Sequence, residues 1–105
     1  MDLMKKTSLK KGELIKCLND IQNAKERKSL EVAESHIQTI DLNVKIAVNS
    51  GINYSITRID CDLMDVDVKL LKNELLRIYS DFSCSFSNTT VPFKGTYLDF
   101  RVNIK

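Results

Sequence analysis

Apolar side chains recur at Leu14, Cys17, Leu18, Ile21 and Ala24, steps of three and four that align one stripe along a helix. The pattern predicts a helix from about Ser8 to Arg27, with Thr7 or Ser8 as its N-cap. Lys25, Arg27 and Lys28 suit the negative end of its dipole, whereas Lys10 and Lys11 oppose the positive end. The stretch from Ser29 to Thr39 can extend this helix.

Residues 40–48 fit two periods at once. Ile40, Leu42, Val44, Ile46 and Val48 alternate with Asp41, Asn43, Lys45 and Ala47, and the apolar set is rich in β-branched residues, which is a strand signal. Leu30, Ala33, Ile37, Ile40, Val44 and Ala47 also stand three or four apart, as in a helix ending at Gly51. The following segment favours the strand. If Asn49-Ser50-Gly51 is a hairpin loop, Val48 faces Ile52, Ile46 faces Tyr54 and Val44 faces Ile56, so one side is apolar throughout. A helix would leave Leu42 and Ile46 off its stripe.

Farther on, Leu63 or Met64, Val68, Leu71, Leu75, Ile78 and Tyr79 form a second helical stripe, with Asp62, Asp65 and Asp67 placed for its cap and first turn. Phe82 to Phe86 alternate as a strand, a polar loop runs through Pro92 and Gly95, and Leu98, Phe100, Val102 and Ile104 mark a last strand. The expected fold is a single α+β domain over residues 1–105, in the order α-β-β-α-β-β, with two helices on one face of a four-stranded, mostly antiparallel sheet. The alternative, residues 30–50 helical, gives α-α-β-α-β-β. In the four-stranded reading the other face of the sheet displays Asn43, Lys45, Asn53, Ser55, Thr57, Ser83, Ser85, Tyr97, Asp99, Arg101 and Asn103.

A chain of 105 residues with 43% hydrophobic and 29% charged residues is ordinary for one globular domain. No apolar run is long enough to span a membrane and the N-terminus lacks the apolar core of a secretion signal, so a cytoplasmic protein is expected. Cys17, Cys61 and Cys84 are odd in number and have no CxxC spacing, and they read as reduced, mostly buried thiols. Net charge is +2, but residues 1–29 carry eight Lys/Arg against four Asp/Glu and residues 30–68 carry two against seven. Basic ends flank an acidic middle.

Candidate chemistry is sparse. Asp60, Asp62, Asp65 and Asp67 could offer oxygen ligands to Mg²⁺ or Ca²⁺, yet they lack the glycine and distal glutamate of an EF-hand loop, and helix capping already accounts for most of them. His36 stands alone, without a nucleophile or orienting carboxylate in a motif. Glycines at 12, 51 and 95 are too isolated for a phosphate loop. No cofactor is implied.

These observations lead to a non-catalytic, macromolecule-binding protein whose partner is another protein or a second copy, with Lys45, Tyr97 and Arg101 as contact residues on the open sheet. Twelve Lys against four Arg, with ten Ile and eight Asn, is the residue usage of an AT-rich coding sequence. That usage and the small size suit a phage or mobile-element accessory protein, such as a stoichiometric inhibitor of a host enzyme. A second reading is a DNA- or RNA-binding domain that uses Lys5, Lys6, Lys10, Lys11 and Lys16 on the basic N-terminal helix. A third is a metal-dependent enzyme built on the Asp60–Asp67 cluster.

Overall fold

A computed structural model describes residues 9–105. Expectations that fall on Lys5, Lys6, Thr7 and Ser8 lie outside the described residues. The chain forms a long helix α1 (Lys11–Asn49), strand β1 (Tyr54–Ile59), a 3-10 turn (Leu63–Asp65), helix α2 (Val68–Ile78), and strands β2 (Ser83–Val91) and β3 (Gly95–Asn103). The sheet has three strands in the order β1-β3-β2, both pairs antiparallel. The α+β class is as expected; among the described residues there is no fourth strand.

Residues 40–48, expected to be extended, fall in the last quarter of α1. Ile40 is completely buried, while Leu42 and Ile46, two and six residues away and so on the same side of any strand, are 57% and 53% exposed. The stripe that carries the packing is Ser29, Val32, Ala33, Ile40 and Ala47, so the period of three and four prevails over the period of two. The helical reading costs three exposed apolar side chains, Leu42, Ile46 and Val48, but it continues a helix already running through residues 29–39. The Asn49-Ser50-Gly51 segment is that helix's end. Ile52 N–H bonds to the Ala47 carbonyl (2.8 Å) and Gly51 N–H to the Val48 carbonyl (3.0 Å), the paired bonds of a Schellman cap. Gly51 supplies the left-handed residue that this cap requires, at φ 74°.

The change also inverts β1. Its inward residues are Ser55, Thr57 and Ile59, and its outward ones are Tyr54, Ile56 and Arg58. Thr57 and Ser55 were expected on the polar face; they instead lie beneath α1, where Asn43 donates to the Thr57 hydroxyl at 2.8 Å. Short side chains there let a helix approach the strand closely, which larger Ile or Tyr side chains would prevent.

The second helix is shorter than its expected stripe: it begins at Val68, and Leu63–Asp65 is a separate 3-10 turn. Leu71 and Leu75 of α2 and Leu98, Phe100 and Val102 of β3 join Val32, Ala33, Ile40, Ile59, Val66 and Tyr79 in one core. Both helices cover the same side of the sheet. Phe86 stacks on Phe100 with ring centroids 5.0 Å apart, and Tyr79 tilts against Phe100 at 5.6 Å. Strand β2 reaches Val91, so most of the expected polar loop is strand and the turn is confined to residues 92–94. Two polar links tie α1 to the rest. Ser29, fully buried, donates to the Lys25 carbonyl at 2.6 Å and accepts from Asp67 N–H at 2.8 Å. Tyr79 donates to an Asp41 carboxylate oxygen at 2.8 Å, and its burial, then that hydrogen bond, holds the phenol well above its usual range.

Candidate functional site

The outer face of the sheet carries the richest arrangement of side chains. Alternation along β3 sends Tyr97, Asp99, Arg101 and Asn103 outward, and the inverted β1 adds Tyr54, Ile56 and Arg58 beside them. The register sets Ile56 opposite Arg101, Arg58 opposite Asp99 and Tyr54 opposite Asn103. The Arg101 guanidinium lies 4.1 Å from the Tyr54 ring centroid, and that of Arg58 lies 4.8 Å from Tyr97. Two arginine–tyrosine stacks therefore cross neighbouring strands.

Asp99 is held down between them. It receives Arg58 Nε at 3.4 Å and the Thr89 hydroxyl, and only 9% of the residue is exposed. Arg101 donates through Nε to Asn103 at 2.8 Å, and Asn103 in turn donates to the Ser83 carbonyl at 3.0 Å. These bonds fix long side chains that would otherwise be mobile, so the face is ordered before anything touches it. At its β1 border the face becomes apolar. A shallow groove of about 260 Å³ is lined by Ile46, Ile52, Tyr54 and Ile56, and the backbone edge of β1 runs along it with no neighbouring strand among the described residues. Ser55, at the floor of this groove, has a buried hydroxyl without a hydrogen-bond partner.

Of the three expected contact residues, Tyr97 and Arg101 are on this face. Lys45 is on α1, exposed and away from the sheet, because the segment that was to carry it is helical. Tyr54, Ile56 and Arg58 were missed for the same reason: the hairpin reading turned β1 over. Nothing in the strand alone marks which of its two sides is inward.

The acidic segment is occupied with local structure. Asp62 caps the 3-10 turn by accepting from Met64 N–H (2.9 Å), and Asp67 caps α2 by accepting from Leu70 N–H (3.1 Å). Asp67 also accepts from Gln22 at 2.9 Å, and the two bonds, the Leu70 N–H first, keep its carboxyl below its ordinary value. Asp60 and Asp62 border a cleft of about 330 Å³ with Cys61, Lys94, Thr96 and Tyr97. Among the described residues, no group of three or more His, Cys, Asp or Glu side chains is placed to hold a metal ion.

His36 is used on both nitrogens. Nδ1 stands 2.7 Å from the Val32 carbonyl and Nε2 accepts from Asp60 N–H at 2.9 Å, which assigns the proton to Nδ1 and makes the ring a clip between α1 and the end of β1. Cys61 and Cys84 are half-buried, and burial pushes both thiols up, Asp60 and Asp62 adding to it at Cys61. Cys17 was expected to be buried but is exposed.

No family model, curated protein or solved structure matches this chain. The site therefore stands on its own geometry. Lys10, Lys11 and Lys16 fall at the start of α1; at 100° per residue, Lys11 and Lys16 point about 140° apart and do not form one basic face. No helix among the described residues is long and apolar enough to cross a membrane.

Proposed function

We propose that this chain is a non-catalytic binding module that engages another protein through the outer face and free edge of β1. The observation that carries this reading is the contiguous surface of Ile46, Ile52, Tyr54 and Ile56 bordered by the Arg101 and Arg58 stacks. Ile56 is 53% exposed at its centre, where it continues the apolar groove onto the sheet face. Tyrosine and arginine held in place around an apolar centre is the composition of a protein-binding hot spot, with polar groups at the rim excluding water. The unpaired edge of β1 adds backbone donors and acceptors that an incoming strand can satisfy.

Nucleic-acid binding is the second reading, favoured by two tyrosines and two arginines on an open antiparallel sheet. It is weakened by Asp99, which neutralises one of the two charges, and by the isoleucines. A photo-crosslinking residue in place of Ile56, with one in place of Leu42 as control, tests both in cells expressing the full chain. The expected result is a discrete protein adduct from position 56 alone, lost on adding Arg101→Glu. Adducts with nucleic acid, or none specific to position 56, would overturn the reading.

A further inference from the structure

Backbone parity decides what the free edge of β1 offers. Ile104 N–H donates to the Asn53 carbonyl at 2.8 Å, and this pair continues the β1–β3 register. Bonded residues alternate along an antiparallel ladder, so Ser55, Thr57 and Ile59 turn their backbone groups toward β3. Tyr54, Ile56 and Arg58 turn theirs outward, a row of N–H donors and carbonyl acceptors at the edge. Edge strands are commonly guarded by a proline, a lysine or a bulge. β1 has none of these: it reads Tyr-Ser-Ile-Thr-Arg-Ile, and its register with β3 is unbroken from Tyr54 to Ile59.

A second signal lies beside that row. Only 6% of Ser55 is exposed, and its hydroxyl has no hydrogen-bond partner among the described residues. It lines the groove together with Asn43, Ile46, Ser50 and Ile52. A buried hydroxyl left unpaired is a cost to the free chain that an incoming donor or acceptor removes. We propose that the occupant is an extended segment of another protein, added antiparallel to β1 as a fourth strand, with a hydroxyl or amide side chain opposite Ser55. This rests on the sheet-face reading and names what binds there.

A second copy does not fit this edge. α1 lies along the inner side of β1, joined to it by Asn43 to Thr57 at 2.8 Å and by His36 to Asp60 N–H at 2.9 Å. Two β1 edges paired about a two-fold axis would place both helices on the same side, above strands about 4.8 Å apart, whereas packed helices need about 8–10 Å. A bare strand brings no helix. Its pattern follows from the register: the side chain opposite Ile56 lies on the outer face and is apolar, and the one opposite Arg58, whose side chain is 47% exposed, is acidic. The side chain opposite Asn53 turns to the α1 side, where Ile46 and Ile52 take an apolar group. Ser55 falls at a non-hydrogen-bonded pair, where facing side chains are closest, so a short hydroxyl side chain reaches it.

The probe is the synthetic peptide acetyl-Glu-Thr-Val-Thr-Lys-Leu-amide, with a peptide of scrambled order as control, read by amide hydrogen exchange in NMR spectra of the full chain. In the free chain the Tyr54, Ile56 and Arg58 amides should exchange fast and those of Ser55, Thr57 and Ile59 slowly. Saturating peptide should slow the first three, and the scrambled peptide should not; no slowing, or slow exchange at all six without peptide, overturns the proposal. Ser55→Ala should leave the melting temperature of the free chain unchanged or higher, yet weaken the peptide about fivefold. Valine in place of the peptide threonine opposite Ser55 should weaken binding to the wild type as much and binding to Ser55→Ala not at all. A free chain destabilised by Ser55→Ala, or losses that simply add, overturns the role given to the hydroxyl. A protein adduct from the cross-linker at position 56 with edge amides left unprotected overturns strand addition alone; absence of that adduct overturns the sheet-face reading with it.

Discussion

Replacing Ile40 and Leu42 by alanine, one at a time, measures the feature on which the fold turns. Ile40 is wholly buried in the core between α1 and the sheet, whereas Leu42 is 57% exposed on the opposite side of the helix. Truncating a buried isoleucine removes three methyl or methylene groups and leaves a cavity, at a cost of about 2–5 kcal/mol. For a domain near this size each kcal/mol moves the midpoint about 4–8 °C, so Ile40→Ala should unfold at least about 8 °C lower. Leu42→Ala removes only partly desolvated surface and introduces the best helix former, and it should stay within about 0.5 kcal/mol of wild type. Urea titration and thermal melts followed by far-UV circular dichroism give both values. If the two variants lost comparable stability, side chains two apart would share one buried face. Residues 40–48 would then be extended, and both the inverted β1 and the proposed binding face would fall with the helix.

Gly51→Ala should cost about 1 kcal/mol in the same titration, entirely through its φ of 74°, since an added Cβ meets nothing within 4 Å; a neutral result would mean that the Schellman cap is not needed. Ser29→Ala leaves the Asp67 N–H without its acceptor and should cost about 1–3 kcal/mol, with native-state hydrogen exchange accelerating first at the start of α2. Tyr79 has a folded-state value raised above the ordinary 10.0, so its contribution is full below that pH and lost as pH rises through the folded value. Wild type should therefore lose stability more steeply than Tyr79→Phe above about pH 10, and a constant difference between them across that range would contradict the buried phenol.

The helix α2 and the inward face of β3 are legible in the sequence because one period fits each: Leu71 and Leu75 on one stripe, Leu98, Phe100 and Val102 on one side of a strand. The start of the long helix is legible for the same reason. The capping carboxylates Asp62 and Asp67 were also visible, since an acid before an apolar stripe has a local purpose that needs no partner from elsewhere.

Residues 40–48 were not decidable locally. Their β-branched side chains satisfy steps of two and of three and four together, and the energy that separates the two forms comes from Ile40 and Ala47 meeting β1 and the sheet, contacts distant in sequence. The parity of β1 was hidden likewise. Alternation establishes that a strand has two faces, but which one turns inward depends on what lies over it, and a closely packed helix selects Ser55 and Thr57 over Ile56 and Tyr54. Sequence by itself thus settled where the chain could form helix and strand and what its caps are. Only tertiary packing chose between periods of comparable local merit, and with that choice decided that two tyrosines and two arginines share one surface.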